Sequence, residues 1–461
     1  MPPTTLCWLR RDLRLTDHTA LAEACSRGGR VVVLFVFDRN ILGAVKDRDD
    51  RRVTFIHRSL VELDQRLREV GSRLVVRVGD PVQVVPAVAL EARAEAVVAA
   101  KDFEGYAKRR DAAVARELEL AGKSLLTVKD HVVFEGSEIS TGEGEPFRVF
   151  TPYSKAWRRR FGPGDVAVRE WRPGALVPAA GLPGDDPWSL RDLGFRESEL
   201  WTAAGEEAGR LALRGFATNR MAAYATKRDF PDLNATSGLS VHLRFGTVSV
   251  REAVRTALEV GGPSAEKWLD ELIWREFYSM ILDRFPHVEH TTFRQEYQAV
   301  EWPGTPEHFE AWCEGWTGYP IVDAAMRCLV QTGWMHNRLR MVAASFLVKD
   351  LLLDYRWGEA FFARHLLDFD LASNNGGWQW AASTGVDALP TFRIFNPVLQ
   401  SRKFDPDGAF IRKWCPEVAH LDSNAIHAPW EHGGPLPIVD HATQRRHALN
   451  LLQVGTGSMN A

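Results

Sequence analysis

The sequence predicts an α/β domain with a Rossmann-like parallel sheet at the N-terminus and an all-helical domain at the C-terminus. Three observations carry this. Over residues 4–130, short apolar runs alternate with amphipathic segments, as in a parallel sheet covered by helices. From about residue 205 onward the apolar spacing is helical, with few strand-like alternations. Tryptophan usage changes with it: of 16 Trp residues only Trp8 precedes position 157. The 461 residues fit two or three domains. The expected divisions are 1–130 for the α/β domain, 131–204 for a connection and 205–461 for the helical domain.

In order, Leu6 to Leu9, Val31 to Phe37, Leu74 to Val78 and Ala96 to Ala100 read as buried strands. Thr54 to Val70, Val82 to Ala92 and Ala107 to Ala121 read as helices. The first strand is not followed by G-x-G-x-x-G, so the dinucleotide fingerprint is absent. A ligand site at the carboxyl ends of the strands stays open. Residues 131–204 are broken by Gly and Pro, including Gly162-Pro163-Gly164, and read as a long surface connection. Trp157-Arg158-Arg159-Arg160 reads as a solvated basic turn, with a phosphate contact as the alternative. The stretch from Ala428 to Ala461 reads as a short polar, flexible tail.

Composition narrows the function. Hydrophobic content of 45% and charged content of 25% are ordinary for a globular protein. No apolar run approaches the ~20 residues of a membrane span, and Met1 to Thr5 shows no signal-peptide pattern. The five cysteines are scattered, with neither a disulfide framework nor metal spacing, which points to free thiols in the cytoplasm. A net charge of −3 is not the footprint of a general nucleic-acid binder, although a local basic patch remains compatible with it.

One stretch fits no simple period: Asp368-Phe369-Asp370-Leu371-Ala372-Ser373-Asn374-Asn375-Gly376-Gly377-Trp378-Gln379-Trp380. Its Asn-Asn-Gly-Gly core reads as a turn presenting polar groups, with Trp378 and Trp380 either as core filler or as aromatic surface beside a ligand. Trp268, Glu271, Trp274, Arg275 and Tyr278 recur at three- and four-residue spacing and share one helix face. That face is either a helix with a buried Glu271–Arg275 pair or the wall of a cavity for a flat polar ligand. Asn337 and Met341 lie one turn apart on another expected helix, with Arg338 and Arg340 between them. Thr236-Ser237-Gly238-Leu239-Ser240 is either a plain helix cap or a phosphate cradle.

These motifs together resemble the DNA photolyase and cryptochrome family. The run Asn374 to Trp380, its continuation Thr391-Phe392-Arg393-Ile394-Phe395-Asn396-Pro397, Trp8 to Arg14, Thr236 to Ser240, Glu271 to Tyr278 and Gly333 to Arg338 occur in the family's order across nearly the whole chain. The resemblance implies a light-driven deoxyribodipyrimidine photolyase. Such an enzyme uses FAD to split cyclobutane pyrimidine dimers in UV-damaged DNA, acts as a monomer and needs no metal. The alternatives are a cryptochrome-like photoreceptor without repair activity and a flavoprotein that merely binds nucleic acid.

The site residues follow from the same resemblance. FAD would be held by Tyr224, Thr236, Ser237, Gly238, Leu239, Ser240, Trp268, Arg275, Asn337, Arg340, Asp368, Asp370 and Asn374. Glu271 and Asn374 would serve the dimer and the flavin ring respectively. Arg228, Glu271, Trp274, Arg338, Met341, Trp380 and Arg393 would meet the lesion and its backbone. Asn337 and Met341 stand where the branch that repairs (6-4) products resembles a histidine pair, which favours cyclobutane dimers. Phe35, Arg52, Asp102 and Glu104 resemble the antenna pocket of members that bind 8-hydroxy-5-deazaflavin. Tyr106-Ala107 stands where folate-binding members usually carry an Asn-Glu pair, which argues against folate; a reduced folate or no antenna is the alternative. Members commonly photoreduce flavin through three tryptophans. Trp378 matches the inner position and Trp302 the outer, while the middle falls on Tyr355. Trp357 or another indole is then expected to replace the middle member, unless Tyr355 itself relays.

Overall fold

The computed structural model describes residues 3–387 and 394–457. Five strands form one parallel sheet: β1 (Thr4–Leu9), β2 (Arg30–Asp38), β3 (Val75–Gly79), β4 (Ala94–Ala100) and β5 (Ser124–Val128), in the order β3-β2-β1-β4-β5. All four sequence-predicted strands are present. Cys7 of β1 lies between Val33 of β2 and Val98 of β4. Eight of the nine β2 residues are buried, because a central parallel strand has covered faces and reads as a continuous apolar run.

Between the strands lie α1 (Thr19–Ser26), α2 (Arg39–Ala44), α3 (Arg51–Glu69), α4 (Pro81–Glu91) and α5 (Gly105–Leu120). Asp50 and Asp80 cap α3 and α4 by accepting from backbone N–H groups of their first turns. The sequence reading missed α1, α2 and β5. β5 has no fully buried residue, so its apolar run is weak.

Compact packing divides the chain into two units. The first comprises Met1–Glu145, Ser154–Ala222 and Ser237–Glu276, and the second Pro146–Tyr153, Ala223–Thr236 and Phe277–Ala461. The helices after the sheet are α6 (Phe150–Arg160), α7 (Glu206–Asn219), α8 (Tyr224–Lys227), α9 (Ser240–Arg244), α10 (Val250–Val260), α11 (Gly262–Arg284), α12 (Pro306–Glu314), α13 (Pro320–Thr332), α14 (Asn337–Lys349), α15 (Tyr355–His365), α16 (Leu371–Ala382), α17 (Pro397–Phe404), α18 (Ala409–Trp414) and α19 (His441–Gly457). The core of the second unit centres on α13 and α14, with Trp312, Phe346, Tyr355 and Trp378 fully or almost fully buried.

Three local expectations are corrected. The basic turn at Trp157–Arg160 is the last turn of α6. Trp157 is buried, stacks on Phe161 and donates its indole N–H to Glu276 (2.6 Å). The polar tail expected from Ala428 contains α19, which buries Ala448 and Leu452. The Asn-Asn-Gly-Gly turn is helical and lies inside α16, which Asp370 caps through Ser373 N–H (3.1 Å). Two packing contacts explain why glycines stand within α15 and α16. A Cβ on Gly376 would stand 2.2 Å from the Tyr278 ring. On α15, a Cβ on Gly358 would stand 2.1 Å from the Trp378 indole. Close approach, not turn formation, requires these residues.

Candidate functional site

In the second unit, α16 sorts its polar residues by depth. Asn375 is buried and donates to Val288 C=O (2.8 Å) and to the Glu359 carboxylate (3.0 Å). Gln379, one turn on, donates to Asn375 Oδ1 (3.1 Å) and accepts from Phe293 N–H (2.7 Å). These two carboxamides are structural. Asn374 is half-buried and donates its Nδ2 to the Glu359 backbone carbonyl (3.1 Å). A carbonyl only accepts, so the NH2 must face it, and Oδ1 of Asn374 is turned the other way as an acceptor.

Two further groups hold the surroundings of α16. Arg340 on α14 donates to both oxygens of Asp368 (2.9 and 3.1 Å) and to Met335 C=O (2.8 Å). A single nitrogen, Nη2, spans both carboxylate oxygens, while Nε serves the carbonyl. Glu359 is half-buried, and its desolvation pushes the carboxyl up to about 7. Trp378 is buried with no partner for its Nε1–H among the described residues. Gly377 is exposed, and nothing lies within 4 Å of where its Cβ would be.

α14 carries Asn337, Arg338 and Met341. His336 caps it by accepting from Arg338 N–H (3.1 Å), and burial holds the imidazole down at about 4, so it is neutral. Asn337 is exposed, and its Nδ2 lies 3.8 Å from Met341 Sδ. Arg338 pairs with Asp229 (2.9 Å) and covers the Phe404 ring at 4.2 Å. Arg228 covers the Tyr224 ring at 5.2 Å, which is buried. Trp380 is half-buried beside Phe395 at 6.3 Å. Trp302 packs partly buried on the core, and Tyr355 is buried in it. Arg393 lies outside the described residues.

In the first unit, Trp268 of α11 is buried against Phe216 at 5.1 Å. Glu271 and Trp274 are half-buried, with Lys267 3.8 Å from the Glu271 carboxylate. Arg275 donates to the backbone carbonyls of His131 (2.6 Å) and Leu243 (3.2 Å), which anchors α11 to the chain after β5 and to α9. Ser237 and Gly238 are half-buried, Leu239 is buried and Ser240 is exposed at the start of α9, and Thr236, which ends a segment of the second unit, is half-buried. Gly238 takes a φ of +68°, and Ser237 Oγ accepts from Leu239 N–H (3.3 Å).

The sheet order reverses beside β1, where open α/β sheets bind ligands. Here Arg11 pairs with Asp102 and Glu104 (3.0 Å each), and Arg244 with Glu104 (2.7 Å). Burial works against the Asp102 charge, but Arg11 and its neighbours hold the carboxyl well below its ordinary range. These two acids are therefore engaged by arginines. Phe35 is buried edge-on to Phe37, which stacks on Trp188. Arg52 pairs with the α3 cap Asp50.

Sequence reasoning missed Glu359, which orients both asparagines, and Trp312, whose ring lies 6.1 Å from that of Trp378. Neither sits in a recognisable motif. Only their contacts with α16 reveal them.

This architecture is that of an α/β protein with a parallel-sheet unit and a helical unit carrying the carboxamide–indole helix. Family models agree: that of DNA photolyase matches residues 5–172, and that of the FAD binding domain of DNA photolyase matches 268–454. A deoxyribodipyrimidine photo-lyase of Synechococcus sp. is 39% identical over 97% of this chain and 96% of its own length, and that of Vibrio cholerae is 40% identical over 98% and 100%. Among solved structures, a class III photolyase from Agrobacterium tumefaciens superposes with a TM-score of 0.90 at 32% identity, covering 99% of this chain and 98% of that one. An archaeal photolyase from Sulfolobus tokodaii, solved with two FAD molecules, gives 0.85 at 34%, covering 98% and 100%. The chain belongs to the DNA photolyase family and carries its FAD-binding domain. Among the described residues no helix is long and apolar enough to cross a membrane.

Proposed function

We propose that this protein uses light to split cyclobutane pyrimidine dimers in UV-damaged DNA. The observation that carries this reading is identity of about 40% with deoxyribodipyrimidine photo-lyases along nearly the entire chain. The Asn337–Met341 contact supports the dimer as substrate, since it sets a carboxamide and a thioether where (6-4) repair resembles two histidines.

FAD, when bound, supplies the light-driven electron donor. Asn374 offers Oδ1 to the ring, and the Arg340–Asp368 pair holds the adjoining chain. Tyr224, Trp268, Arg275, Asn337 and Asp370 contribute to the same cofactor, with Thr236 to Ser240 serving its phosphates. Glu271 hydrogen-bonds to the dimer, and Trp274, Met341 and Trp380 pack against bases taken out of the stack, as photolyases are known to do. Arg228, Arg338 and Arg393 neutralise DNA phosphates. In the proposed division, residues 1–130 carry an antenna, 131–204 connect, and 205–461 carry FAD and DNA.

The proposed antenna is 8-hydroxy-5-deazaflavin. Phe35 and Arg52 support it. Asp102 and Glu104, engaged by Arg11 and Arg244, would act by fixing the strand ends rather than by touching the pigment. Reconstitution with a deazaflavin and a reduced folate in parallel distinguishes the two.

The test of the function is dimer content. Blue light should remove cyclobutane dimers from an irradiated oligonucleotide in the presence of the reduced protein and leave (6-4) products. Repair of (6-4) products alone, or light response with no repair, would reject the reading.

A further inference from the structure

We propose that an electron hole formed on Trp378 leaves through Trp312 and reaches solvent at Trp357, bypassing Tyr355. The inference rests on the reading that FAD binds beside Trp378, and it is carried by ring contacts within the second unit.

Trp312 lies edge-on to Trp378 at 6.1 Å. Phe309 stacks on Trp312 at 5.9 Å and meets Trp357 edge-on at 5.3 Å. Trp357 is 41% exposed. Phe309 is too hard to oxidise to hold the hole, so it serves as a spacer between two nearby indoles. Among the described residues, no ring–ring contact involves Tyr355 or Trp302. Core filling accounts for Trp312 by itself. It does not account for an unbroken aromatic line from Trp378 to an exposed indole.

The surroundings give the line a direction. Among the described residues the buried Trp378 Nε1–H has no acceptor. Oxidised Trp378 therefore stays a cation in apolar surroundings, which disfavour charge. Trp312 donates its Nε1–H to Ala343 C=O (3.1 Å), and a hydrogen bond from a charged donor is stronger than one from a neutral donor. The hole is therefore better held on Trp312. At Trp357, water solvates the cation and accepts its Nε1 proton. Tyr355 runs the other way. Burial first, then Glu359 one turn along α15, pushes its phenol pKa up, so it keeps its proton and is a poor stopping point.

Each step moves one electron. Trp378 gives one to photoexcited oxidised FAD, Trp312 restores Trp378, and Trp357 restores Trp312. Trp357 then loses its indole proton to water as a neutral radical. A solution thiol returns one hydrogen atom to Trp357, and two thiyl radicals close to a disulfide.

The experiment uses the full chain loaded with oxidised FAD under blue light. Without thiol, mass spectrometry should find photo-oxidised indole at Trp357. With dithiothreitol, Trp357→Phe should lose most of its flavin photoreduction, while Tyr355→Phe stays near the parent. Trp357 is exposed, so this variant does not depend on repacking a core as Trp312→Phe does. Oxidation mapped to Trp302, photoreduction retained in Trp357→Phe, or photoreduction lost in Tyr355→Phe would each overturn the proposal. Dimer repair by chemically reduced parent protein reports separately on the proposed function.

Discussion

Replacing Glu359 with Gln should change how stability depends on pH. Burial pushes this carboxyl from its ordinary 4.5 up to about 7, a difference worth roughly 3 kcal/mol of folding free energy. The sign follows from the direction. A raised carboxyl binds its proton more tightly when folded, so its contribution is complete below pH 4.5 and is lost as pH rises through about 7. Gln is neutral throughout and retains an oxygen to accept from Asn375 Nδ2, now at 3.0 Å from Oε1. From pH 5 to pH 8 the variant should therefore gain about 2–3 kcal/mol on the parent. Urea unfolding of both proteins at matched pH, with the slope held common, measures the difference. Parallel stability profiles would refute the reasoning and mean that Glu359 is ionised at all of these pH values. Flavin content in the same samples reports whether Asn374, held by the Glu359 backbone, keeps its place.

Other consequences concern the same unit and its neighbours. Asp368→Asn should lower FAD content and thermal stability together, because it leaves Arg340 without its charged partner, and breaking such a pair costs up to about 3–5 kcal/mol. Gly376→Ala should be strongly destabilising, since its Cβ would meet the Tyr278 ring, whereas Gly377→Ala should match or exceed the parent in thermal unfolding. Glu271→Ala should reduce repair per bound flavin, with a lost hydrogen bond worth about 1–3 kcal/mol; unchanged repair would remove Glu271 from the substrate site. Arg228→Ala should flatten the salt dependence of DNA binding by roughly one unit, as measured by titration at several salt concentrations.

The sequence by itself determined the two architectures and the family. β1 to β4 were legible because central parallel strands are buried on both faces and must be continuously apolar. α11 was legible because its aromatic and charged residues recur at helical spacing. The function was legible because its motifs are rare combinations of residue types in a fixed order.

Tertiary structure decided what local composition concealed. Asn-Asn-Gly-Gly has turn chemistry, yet it is helical because its glycine admits the Tyr278 ring and because Val288 and Glu359 hold Asn375. Arg158 to Arg160 look like a solvated turn until Trp157 is seen anchored by its indole to Glu276. Asp102 and Glu104 carry no sign in the sequence of their pairing with Arg11 and Arg244. The roles of Glu359 and Trp312 depend on neighbours distant in the chain, Asn375 and Trp378. A contact of that kind leaves no periodicity to read, because side chains far apart in sequence meet only when helices pack.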